Sequence, residues 1–130
     1  MTNEEKVQYW IDLSNRDINT AEYLIIGGHN LHGGYFCHQA VEKVLKAYFA
    51  KTTEETPPFI HNLKTLAVKT GLFDVMTNEQ KDFVRELNPL NIEARYPEYK
   101  NKIAEMLTDE IAKTFLIQTK EMIRWIKEKI

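Results

Sequence analysis

The sequence predicts an all-α fold, an up-and-down antiparallel bundle of about five helices, from three observations. Apolar residues recur three and four positions apart in five segments. No stretch of useful length alternates apolar and polar residues as a half-buried strand would. At 43% apolar and 28% charged residues, the composition is that of a globular chain able to bury a core. All 130 residues are expected to form one domain, without a metal or disulfide staple.

The first helix is expected from Asn3 to Ile26, where Val7, Trp10, Ile11, Ile18, Ala21, Leu24 and Ile25 form the apolar stripe. Gly27 and Gly28 supply its stop. The second is expected from about Leu31 to about Lys51. Phe36, Ala40, Val44, Ala47 and Tyr48 share a face that Cys37, Val41 and Leu45 widen, leaving a narrow polar strip. Such a girth suits a central helix or one shared with a second subunit, so a homodimer through this helix or the flanking glycine-rich turn is expected. Pro57-Pro58 breaks the chain. A short third helix follows His61, carries Leu63, Leu66 and Val68, and ends at Gly71. The fourth runs from about Asn78 to Leu87 or Ile92, with Thr77 or Asn78 as cap. The last spans roughly Asp109 to Lys129, with Ile111, Phe115, Ile117, Met122, Ile123 and Ile126 at helical spacing.

Composition narrows the function. A net charge of −2 argues against general nucleic-acid coating, which rests on many phosphate contacts. No apolar run is long enough to cross a bilayer. The start, MTNEEKVQYW, is acidic and polar where a signal peptide would be basic and then apolar. One cysteine, Cys37, forms no internal disulfide, so a reducing cytoplasm is the expected location. On the second helix's apolar face it reads as core, not as a nucleophile.

No cofactor or metal is expected. Gly27-Gly28 and Gly33-Gly34 flank a turn and lack the Lys-Ser/Thr of a phosphate loop. Neither a cysteine pair nor His-Glu-x-x-His is present for zinc, and His29 and His32 read as turn residues. Three places could hold an anion. Gln39, Lys43 and Lys46 lie four and three residues apart and project from one side of the second helix, although Glu42 could equally pair Lys46 four residues on. His61 stands at the start of the third helix, as a structural helper or facing a ligand. In NIEARYPEY, Pro97 pushes Tyr96 out of helical geometry, so Arg95 sits where the chain leaves the fourth helix. Its guanidinium could fork onto phosphate, and Tyr96 and Tyr99 offer ring faces for a base or sugar. It could equally bridge a helix end to an acidic partner, with the tyrosines as packing.

Taken in order, HQAVEKVLKAYF, HNLKTL and EARYPEY resemble the HEPN domain family, over roughly Trp10 to Trp125. The resemblance implies a helical bundle, commonly a homodimer, and two functional lines. One comprises RNases, including toxins, with Arg, four to six residues, then His. The other comprises small proteins thought to bind nucleotides and encoded beside a minimal nucleotidyltransferase; for this chain a toxin–antitoxin pairing is the expectation that goes with it. Together such a pair looks like a split kanamycin nucleotidyltransferase. The RNase motif is absent: of Arg16, Arg85, Arg95 and Arg124, only Arg16 has a histidine after it, and the first is His29. The resemblance therefore implies a non-catalytic nucleotide-binding subunit. Arg95, Tyr96 and Tyr99 would be its contacts, with Lys43, Lys46 and His61 as neighbours. A divergent endoribonuclease toxin and a dimeric adaptor without ligand are the alternatives.

Overall fold

The computed structural model describes residues 1–92 and 95–130. Glu93 and Ala94, part of the third sequence motif, lie outside the described residues. The described chain holds seven α-helices and one 3-10 turn: α1 (Asn3–Ile26), α2 (Asn30–Thr53), α3 (Leu63–Thr70), α4 (Leu72–Val75), α5 (Asn78–Leu87), the turn Asn88–Leu90, α6 (Pro97–Met106) and α7 (Asp109–Lys127). Among these residues there is no strand. The all-α bundle is as expected, but there are two helices more. The four-residue α4 is too short to show a period. The ten residues of α6 are hidden in the sequence because Pro97 reads as a stop, whereas it begins the helix.

Local chemistry sets the ends. Thr2 and Thr77 cap α1 and α5, each in a box with the side chain three residues on, Glu5 and Gln80. Asn62 caps α3 by accepting from the Thr65 amide, and Gly71 ends that helix at φ 80°. Thr108 caps α7.

Helices α1 and α2 form an antiparallel hairpin across the three residues 27–29. Asn3 donates to the Ala50 carbonyl at one end, and Ser14 Oγ to the Ala40 carbonyl at 2.7 Å in the middle. Val7, Ser14 and Ala21 recur every seventh residue and line the buried seam of α1. Helix α7 also runs antiparallel to α1, tied by Lys120 to Glu22 and by Lys127 to Asn15. Helix α2 is the hub, touching α1, α7, α3, α5, α6 and the 3-10 turn. Its wide apolar girth is thus used inside the chain and does not itself require a second subunit. Outward positions correct the expected stripes: Val68, Ile111 and Ile117 are exposed, and Ala67 takes the inward place on α3. No described helix is long and apolar enough to cross a membrane.

Gly33 and Gly34 lie inside α2 and are buried, not beside a turn. His32 stands on the same first turns of the helix, while His29 precedes it. A Cβ at Gly33 would fall 2.4 Å from Ile25 Cγ1 and 3.3 Å from the Ala21 carbonyl oxygen. At Gly34 its nearest neighbours would be the Cδ1 ends of Leu90 and Leu107, at 3.1 and 3.2 Å. Alanine gains up to about 1 kcal/mol over glycine in a helix. Gly34→Ala should therefore be neutral or mildly stabilising, while Gly33→Ala should lose about 1–3 kcal/mol by overpacking the hairpin. Urea midpoints decide this. A Gly33→Ala protein as stable as the parent would mean that α1 and α2 can separate freely.

Candidate anion-binding site

Two groups of polar side chains emerge from the fold. The first is the corner that leads into α6. Tyr96 is extended (φ −73°, ψ 155°) and stands as the N-cap, and Pro97 occupies the first helical turn, where its missing N–H is no loss. The proline thereby sets Arg95 just outside the helix and Tyr99 on its first turn. The Arg95 amide donates to the Ile92 carbonyl at 3.0 Å. Its guanidinium lies 4.8 Å from the centre of the Tyr99 ring, a cation–π contact. Arg95 is exposed, and among the described residues it has no carboxylate partner. Tyr96 is 85% exposed, so Tyr99 rather than Tyr96 braces the guanidinium.

The second group lies where the polar strip of α2 meets α1 and the segment before α3. Glu42 is its centre, a carboxylate only 1% exposed. Its Oε2 accepts from Lys46 Nζ at 3.1 Å and from His61 Nδ1 at 3.0 Å. Lys46, 4% exposed, also lies 5.4 Å from the Trp10 ring centre. Lys43 Nζ is 3.6 Å from Asp17 Oδ2 on α1. Burial pushes the Asp17 carboxyl above its ordinary range, and the attraction of Lys43 offsets only part of that. Each lysine is therefore already matched by a carboxylate of this chain. The expected six-residue cluster is split: Lys46 and His61 meet at Glu42, Arg95 meets Tyr99, and Lys43 turns to Asp17. Among the described residues, no hydrogen bond, ion pair or ring contact joins the two groups. Spacing along α2 suggests the Glu42–Lys46 pair, but nothing in it shows that α1 would supply Asp17 and Trp10.

His38 and Cys37 are buried. Burial pushes the Cys37 thiol up to about 11, which removes it as a nucleophile at neutral pH. His38 donates from Nδ1 to Gln39 Oε1 at 3.2 Å, with Glu42 Oε1 3.9 Å away. Burial lowers its pKa from the ordinary 6.5, reinforced by His61 and Lys43 and opposed by Gln39 and Glu42. As pH falls through 6.5, the unfolded chain takes up a proton that folded His38 refuses. The folded state thus loses stability until the pH reaches the lower folded value. The melting temperature should drop as the pH falls through 6.5, and His38→Gln should flatten that drop. An unchanged slope in the variant would show that His38 does not cause the drop.

A model of the family described as HEPN domain matches residues 7–130, nearly the whole chain. The chain belongs to the HEPN domain family. The fold of the chain also resembles that of two solved structures. TT1696 from Thermus thermophilus superposes with a TM-score of 0.80 at 16% identity, over 96% of this chain and 98% of that one. ST0689, an archaeal HEPN homologue, does so with a TM-score of 0.67 at 20% identity, over 95% and 96%. At those identities the likeness is one of fold alone. No curated protein matches this HEPN chain. Among the described residues, no group of His, Cys, Asp and Glu could hold a metal ion.

Proposed function

We propose that this HEPN protein is a non-catalytic nucleotide-binding subunit whose Arg95–Tyr99 corner takes the phosphates, working beside a separately encoded nucleotidyltransferase. One observation carries the reading. Arg95 is an exposed guanidinium held over a ring and not neutralised by any described carboxylate, while Lys43 and Lys46 are each paired. A guanidinium so placed keeps its fork free for phosphate oxygens. The sequence supports the non-catalytic part, since no arginine has a histidine four to six residues after it. A cytoplasmic location, a homodimer and a toxin–antitoxin pairing belong to the same reading.

Calorimetric titration of the purified chain with nucleoside triphosphates tests it, alone and with the nucleotidyltransferase encoded beside it. Binding that weakens as salt is added is expected, because exposed charge attraction is screened. No heat with any nucleotide, in either setting, would remove the reading. Cleavage of single-stranded RNA by the pure protein, lost on Arg95→Ala, would replace it with the endoribonuclease.

A further inference from the structure

An apolar groove of about 730 Å³ runs beside the Arg95 corner, within the range of about 300–1,000 Å³ typical of small-molecule sites. Tyr99, Lys102, Ile103 and Met106 form its α6 wall at the spacing of one helical face. Leu90 and Phe115 line it from the 3-10 turn and from α7. Tyr99 therefore belongs to both features: its ring braces the Arg95 guanidinium and lines the groove. Cationic groups thus stand at the Tyr99 end, with Lys102 one turn further along α6, and apolar surface extends beyond them. Glu86 places one carboxylate among the lining residues. Met106 and Ile111 remain 66% and 42% exposed, so the apolar wall is open to a ligand.

We infer that the groove receives the base of the nucleotide whose phosphates Arg95 holds. This rests on the reading above and adds where the ligand lies and what it must contain. A flat aromatic base buries its faces against Ile103, Met106 and Phe115. Its exocyclic amino group could donate to Glu86, while Lys102 and Arg95 face the phosphates. Such a site favours a nucleotide over its phosphate chain alone, and the base supplies the difference.

The test compares nucleoside triphosphates with inorganic triphosphate, on the parent protein, on Arg95→Ala and on the double variant Met106→Asn, Ile111→Asn. Both groove residues are exposed and their replacements neutral, so the fold and the field at Arg95 are kept. The parent should bind at least one nucleotide about tenfold more tightly than inorganic triphosphate, and the groove variant should lose most of that margin. Its affinity for inorganic triphosphate should stay within about twofold of the parent's, whereas Arg95→Ala should weaken both ligands. Nucleotide binding that needs Arg95 but ignores the groove variant would overturn the inference and leave the phosphate reading standing. A parent that prefers no nucleotide over inorganic triphosphate would do the same. If neither ligand binds the parent, the reading falls and the inference with it. Light scattering on the same samples adds one more decisive outcome. A parent dimer that the groove variant turns into monomers would show that a second copy covers the groove, and the base would have no place there.

Discussion

Glu42→Ala should destabilise the protein by about 3–5 kcal/mol, the scale of breaking a buried ion pair by removing one partner. The substitution would leave the Lys46 ammonium, 4% exposed, beside the Trp10 ring and without a carboxylate. It would also free His61, whose bond to Glu42 pins the segment before α3 onto α2. Against a usual total of about 5–15 kcal/mol, that loss is a large fraction. Removing both charges at once should behave differently. Glu42→Leu with Lys46→Met replaces the pair by apolar bulk and should recover most of the loss, since a buried pair often adds little over well-packed hydrophobic residues. Urea denaturation of the two variants beside the parent measures both effects. A loss under about 1 kcal/mol for Glu42→Ala would mean that the lysine stem swings its charge out to water.

The same cluster shows what can and cannot be seen in the chain alone. Helices α1 and α2 follow directly from their apolar periods and from Gly27–Gly28 between them, because those signals are local. The partners of the polar strip are not local. Lys43 and Lys46 look alike by spacing, and only the hairpin brings Asp17 to one and Trp10 to the other. Pro97 misleads for a related reason. The ring restricts the residue before it, which reads as an ending, yet the same ring is well suited to the first turn of a helix. With α6 in place, Arg95 and Tyr99 stand four residues apart across a helix start, and the apolar face of α6 beyond them becomes a wall. That face is present in the spacing of Tyr99, Ile103 and Met106, but a proline taken as a stop conceals it.

Arg95→Ala should weaken nucleotide binding by about 10- to 100-fold, corresponding to the loss of a charge-assisted hydrogen bond worth about 1.5–3 kcal/mol. The charge alone does not account for the expected effect. Arg95→Lys keeps a cation but loses the planar fork and its stacking on Tyr99, and should still lose roughly 1–3 kcal/mol of binding, less than Arg95→Ala loses in the same titration. Tyr99→Leu keeps the guanidinium and removes the ring that holds it 4.8 Å away. It should cost about 0.5–1 kcal/mol, the scale of an exposed cation–π contact. The order Ala worst, Lys next and Leu at position 99 mildest separates a preorganised fork from a diffuse positive patch. In a patch, Arg95→Lys would be silent, and Lys102→Ala would weaken binding as much as Arg95→Ala. None of the three changes should alter the unfolding free energy by more than about 0.5 kcal/mol, since Arg95 is exposed and Tyr99 only partly covered. If Arg95→Ala leaves nucleotide affinity and assembly with the nucleotidyltransferase both unchanged, Arg95 only braces the start of α6 and the phosphate site lies elsewhere.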